Sequence, residues 1–151
     1  TVLVLERSTE FEDRVRGEWI APWGVKEVRR LGLYDLLLGA GGHHLATHIS
    51  YDETRPPEAS ESRALPLSIF DPDIEGPLCL GHPRHCQTLL DEAVRLGATV
   101  ERGVNVESVA FDPPSARWTR ADGSSVEASA RLLVGADGRA SMVREAAGIR
   151  L

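Results

Sequence analysis

Apolar residues fall along this chain in two patterns. Where they run together, in residues 1–5 and 132–134, they predict short buried parallel strands, because a strand covered on both faces needs no polar alternation. Where they recur every three or four positions they predict helices. Val25, Val28 and Leu31 form such a stripe behind Pro22, which suits a first helical turn, and Gly32 ends it. Cys86, Leu89, Leu90 and Ala93 form a second stripe behind Pro83, closed by Gly97.

Between these helices the pattern breaks up. Residues 39–42 interrupt a helix with three glycines, and Arg55-Pro56-Pro57 through Ser62 reads as an exposed loop. Short apolar pieces at residues 48–51, 65–70 and 78–80 are candidate strands. Past Gly97, residues 98–102 predict another strand, and residues 104–111, 117–120 and 125–128 a three-strand meander. Pro113-Pro114 and Asp122-Gly123 supply its turns. The meander takes the place of a crossover helix and returns the chain to the parallel strand at 132–134. The fold class is therefore α/β.

Two predicted strands end in an acid. Glu6 closes the first, and Asp137 follows the last within Gly135-Ala136-Asp137-Gly138. The carboxyl ends of parallel strands are where open α/β sheets bind ligands, and a Rossmann half uses such an acid to hold a ribose diol. The glycines permit close backbone approach, and Ser141 stands where it caps the helix carrying Val143 and Arg144. A glycine-rich turn ~20 residues ahead of the ribose acid completes that fingerprint. Only five residues precede Glu6, so the chain is read as beginning inside the motif.

The run from Gly135 to Arg144 resembles the Asp-Gly fingerprint of flavin-dependent group A monooxygenases, the para-hydroxybenzoate hydroxylase-like family, which reads Gly-Ala-Asp-Gly-x-x-Ser-x-Val-Arg. Gly135, Ala136, Asp137, Gly138, Ser141, Val143 and Arg144 coincide with it, and the interval back to Glu6 is similar to that family's. Arg14-Val15-Arg16-Gly17 ahead of an apolar segment, a helix ending in Leu31-Gly32-Leu33, and His82-Pro83-Arg84 at a helix start resemble its other landmarks. Gln87 departs from the pattern, which commonly has an apolar residue there.

The resemblance implies an incomplete Rossmann-like FAD-binding domain with an inserted β-meander and part of a substrate-domain sheet. Residues 1–42 would form part of the FAD-binding domain, 43–81 the start of a substrate-covering sheet and loop, and 82–151 the FAD-binding domain continued. It implies that Glu6 binds the adenosine ribose, that Arg16, with Arg14 in reserve, and Arg84 lie along the flavin's polar chain, and that backbone near Val106 approaches the adenine. Asp137 and Gly138 would serve the pyrophosphate region. The implied cofactor is FAD, reduced by NADPH or NADH, and the implied reaction is hydroxylation of a small aromatic or polyketide-like substrate. No catalytic side chain is assigned. The family's glycine-rich turn and its later Gly-Asp segment have no counterpart, so an internal segment, inactive by itself, is expected. A flavin-dependent halogenase or reductase of the same fold, or a non-catalytic truncated domain, are the alternatives.

Composition narrows the partners. The 151 residues carry a net charge of -6, which argues against nucleic acid and anionic membrane surfaces. Lys26 is the only lysine, and the arginines are scattered rather than clustered. Cys79 and Cys86 lack zinc-site or disulfide-framework spacing, and His43, His44 and His48 lack carboxylate or thiol partners at metal-ligand spacing, so no metal is expected. No apolar run approaches the ~18 residues of a membrane span. With no leader-like start, a cytoplasmic location is expected.

Overall fold

The computed structural model describes residues 1–13 and 18–150. In chain order the strands β1 (Leu3–Glu6) and β2 (Trp19–Ile20) lead into helices α1 (Pro22–Arg30) and α2 (Tyr34–Gly39). Then come β3 (His43–His44), β4 (Thr47–His48), α3 (Pro57–Glu61), β5 (Leu65–Pro66) and β6 (Leu78–Cys79). Helix α4 (His82–Arg95) is followed by β7 (Thr99–Arg102), β8 (Asn105–Phe111), β9 (Pro114–Thr119), β10 (Ser125–Ser129) and α5 (Met142–Ala146). The chain divides into two compact units, one of Thr1–Glu10 with Ala93–Leu151 and one of Phe11–Glu92.

In the first unit β1 and β7 pair in parallel, from Leu3 opposite Thr99 to Glu6 opposite Arg102. The expected strand is present, though Val2 is 62% and Leu3 40% exposed, so it is covered less than its apolar run predicted. The expected meander forms as an antiparallel sheet in the order β10-β9-β8. Strand β9 starts at Pro114, earlier than expected, which a proline tolerates at the first position of a strand. Trp118 pairs with Val126 on one side and Val106 on the other, and is buried.

A polar clamp ties the meander to β7. The Trp118 indole N–H donates to Glu101 Oε2 at 2.9 Å, while Arg120 grips both carboxylate oxygens at 2.9 and 2.7 Å. Arg120 and then Trp118 hold the Glu101 carboxyl down to about 2. The planar guanidinium fits a carboxylate through two parallel bonds, which is the strongest form of such a pair.

The expected strand at 132–134 does not form. Leu132 and Val134 are each 75% exposed and carry no strand pairing. A strand exists only through a neighbour's hydrogen bonds, and among the described residues β1 pairs with β7 alone.

The second unit is built on the sheet β2-β6-β3. Val25, Leu37, Ile74, Leu78 and Leu80 are its buried core, with Ile20, Val28 and Leu89 packed against them. Helix α1 begins at Pro22 as expected, and ends in a Schellman motif: Gly32 N–H bonds Arg29 O at 3.0 Å and Leu33 N–H bonds Val28 O at 3.0 Å, with Gly32 at φ +71°. Leu31, expected on the inner stripe, is instead 58% exposed, because it lies past the last helical turn. Residues 65–70 are not one strand either: β5 stops at Pro66 and a 3-10 turn covers Leu67–Phe70. Helix α4 starts in this unit with Pro83 in its first turn, and its far end closes with Gly97 at φ +95°, bonding Val94 O at 2.9 Å. No helix of the described residues is long and apolar enough to cross a membrane.

Two outcomes follow from this packing. The stability that Glu101 contributes is complete above about pH 4.5 and lost as pH falls toward 2, because its folded carboxyl titrates below its unfolded one. Glu101→Gln therefore lowers the melting temperature at neutral pH, and the gap to wild type closes as thermal scans move from pH 4.5 to 2. Gly76 sits at φ +145° with Leu45 O only 2.1 Å from where a Cβ would stand. Gly76→Ala should cost on the order of 1–3 kcal/mol in urea unfolding.

Candidate functional site

The motif at Asp137 is closed on itself. Gly138 adopts φ +82°, a turn conformation glycine takes without strain. Gly135 must lack a side chain for a different reason: a Cβ there would meet Val143 Cβ at 2.7 Å. The Val143 N–H, on α5, bonds Asp137 Oδ2 at 3.2 Å. The Ser141 hydroxyl donates to Asp137 Oδ1 and accepts the Arg144 N–H at 3.0 Å, so the expected helix cap is present. The Arg144 guanidinium donates to Arg139 O at 2.8 Å across the same turn.

These donors hold the Asp137 carboxyl below its ordinary value. Ser141 contributes most and the backbone N–H groups of Val143 and Met142 assist, against some desolvation. No charged side chain is among the causes. Asp137 is nonetheless exposed, and Ser141, at 8% exposure, is buried behind it.

Glu6 lies in the same unit, half-buried at the carboxyl end of β1. Its Oε1 accepts the Ser8 N–H at 2.7 Å, and its backbone carbonyl accepts the Val104 N–H at 3.4 Å. Arg102, its partner across the strand pair, donates to Ser8 O at 3.0 Å. Val106 is half-buried on β8 next to a bulge, and α5 packs against that strand. Glu6, Val106, Asp137 and Gly138 thus belong to one compact unit.

Arg84 belongs to the other unit, exposed in the first turn of α4. It borders an open cleft of about 580 Å³ together with Asp35, Leu36, Gln87 and Asp91. Gln87, the departure from the family pattern, donates to Asp91 Oδ1 at 2.7 Å on the same helix. Arg16, and Arg14 in reserve, lie outside the described residues.

One contact set in this unit was not foreseen. His44 Nδ1 lies 2.6 Å from Gly76 O, a carbonyl that can only accept, so Nδ1 carries the proton and Nε2 accepts from Tyr34 O–H at 2.8 Å. Arg29 stands over the Tyr34 ring at 4.5 Å. The histidine is fixed in the structure by a carbonyl and a phenol that lie far from it in sequence, and spacing alone carries no sign of that. The second acceptance at Asp137, from Val143, was hidden likewise; the signal for it was the glycine at 135, whose missing Cβ admits the valine.

The comparisons with known proteins come down on the flavin fold. The family signature of the FAD binding domain matches residues 1–151. A dialkyldecalin synthase of Streptomyces rugosporus is 29% identical over 147 residues, which is 97% of this chain and 29% of that protein. Among solved structures, the OxyS anhydrotetracycline hydroxylase from Streptomyces rimosus superposes with TM-score 0.73 at 27% identity, over 97% of this chain and 28% of that one. The Diels-Alderase PyrE3 of pyrroindomycin biosynthesis superposes with TM-score 0.68 at 26% identity, over 97% and 29%. The chain thus spans less than a third of the length of each of these relatives.

The close approach of Gly135 to Val143 yields an expected outcome. Gly135→Ala pushes α5 off the turn and should destabilise by about 1–3 kcal/mol, as overpacking does elsewhere. Amide exchange at Val143 and Arg144 should accelerate in the same variant.

Proposed function

The chain belongs to the FAD binding domain family, and from that premise we propose that it supplies part of the FAD site of a cytoplasmic monooxygenase that hydroxylates a small aromatic or polyketide-like molecule. The observation that carries this reading is the closed Asp137 motif within a chain matched end to end by the FAD binding domain. The donor set suits the cofactor. A carboxylate at a strand end accepts from a ribose diol, and among the described residues Glu6 offers one that spends Oε1 alone, on the Ser8 N–H. A diphosphate takes a guanidinium, and Arg84 makes no hydrogen bond or ion pair among the described residues.

The roles follow residue by residue. Glu6 holds the adenosine ribose, backbone at Val106 borders the adenine, and Arg84 with Arg16 neutralises the polar chain. Asp137 and Gly138 shape the turn beside the pyrophosphate. Residues 43–81 begin the sheet that covers substrate. When bound, FAD supplies the redox and oxygen chemistry, with NADPH or NADH as the reductant. The protein's part is to bind, orient and exclude water. No side chain here is given a catalytic role, and the 151 residues by themselves do not hydroxylate.

A second reading has its own support. The dialkyldecalin synthase and the Diels-Alderase, by their names, close rings. The same scaffold in this polypeptide would then hold FAD as a structural group beside a cyclising substrate.

The test is a titration of the full-length gene product, freed of cofactor, with FAD and followed by flavin fluorescence. Saturable binding weakened roughly tenfold by Asp137→Ala, the equivalent of one charge-assisted hydrogen bond, is expected. Absent binding, or an affinity indifferent to Asp137, overturns the assignment. Product mass then separates the two readings: hydroxylation adds an oxygen atom and consumes reduced nicotinamide, whereas ring closure does neither.

A further inference from the structure

The Ser141 hydroxyl has one proton to give and oxygen lone pairs to receive. The Arg144 N–H, 3.0 Å away, takes the oxygen as a helix cap, and the proton goes to Asp137 Oδ1. The backbone of α5 is thereby wired through one hydroxyl to one carboxylate oxygen, while the Val143 N–H fixes the other. Ser141 is buried, so no water stands in readily for it. The Arg144 guanidinium is spent on the backbone carbonyl of Arg139, and no charged side chain is among the groups that lower the Asp137 carboxyl.

We propose that Ser141 is the positioning residue of the flavin site, acting through Asp137: its proton sets the direction in which the carboxylate and the Gly138 turn face the cofactor. This rests on the reading that Asp137 serves FAD. A helix cap without that role is the competing account, and the chemistry of the side chain separates the two. Glycine serves almost as well as serine at a cap position, yet it has no proton to donate. Threonine keeps both functions.

The experiment measures FAD affinity of the full-length gene product in four variants, Ser141→Gly, Ser141→Thr, Asp137→Ala and the double variant Ser141→Gly/Asp137→Ala. Alanine leaves no acceptor for the Ser141 proton, and a residue that acts through Asp137 loses its effect once that acceptor is gone. Expected are a loss of roughly tenfold in Asp137→Ala, a several-fold loss in Ser141→Gly, near wild-type affinity in Ser141→Thr, and a double variant no weaker than Asp137→Ala. Ser141→Gly at wild-type affinity, or losses that multiply in the double variant, overturn the proposal while the flavin reading stands. Asp137→Ala at wild-type affinity instead overturns the flavin reading of Asp137, and the proposal with it.

Discussion

A carboxylate at a glycine turn faces wherever its donors direct it, and the organisation of this motif depends on where the donors to Asp137 come from. Both oxygens are engaged by α5, one through the Ser141 hydroxyl and one through the Val143 amide. That arrangement requires the helix to approach the turn closely, which requires Gly135 to have no side chain. The motif is therefore one steric and electrostatic unit: glycine admits valine, valine brings its amide, and serine completes the set. Its charge is stabilised by neutral donors, so salt has little to screen.

This bears on what sequence reveals. Features that depend on residues near in the chain were legible: α1 with Pro22 and its Gly32 ending, α4 with Pro83 and Gly97, the meander with its turns, and the Ser141 cap. Each rests on a local rule that neighbours cannot easily override. Features that depend on a partner across the fold were not. The run at 132–134 has the composition of a buried strand, but composition cannot supply the adjacent backbone that a strand bonds to. Leu31 continues the stripe of Val25 and Val28, yet the helix ends one residue earlier and the stripe ends with it. Residues 65–70 are apolar enough for a strand, and the chain turns at Pro66 into a 3-10 segment.

The same distinction separates the site residues. Glu6 and Asp137 stood out as candidates, one as an acid closing an apolar run and the other as an acid in a glycine turn, and both lie with Val106 in one compact unit. Glu101 was invisible although it is the most strongly perturbed carboxyl described. Its partners are Trp118 on β9 and Arg120 just past the end of that strand, and nothing in Val100-Glu101-Arg102 distinguishes it from an exposed strand acid. The large shift at Glu101 marks a structural clamp, whereas Asp137 is lowered chiefly by the Ser141 hydroxyl, with backbone donors assisting. Perturbation alone does not identify function.

What remains to be decided is chemistry rather than fold. In a flavoprotein the cofactor carries the difficult step, so the residues that hold its ribose and pyrophosphate are indifferent to the reaction that follows. Relatives named as a hydroxylase and as a Diels-Alderase superpose on this chain with comparable closeness, TM-scores of 0.73 and 0.68. Under the proposed assignment, Asp137 and Gly138 serve to retain and orient FAD rather than to take part in the reaction. On that reading, what selects the reaction lies with groups that touch the reacting atoms and the substrate, and a fold shared by a hydroxylase and a Diels-Alderase does not itself fix which chemistry is run.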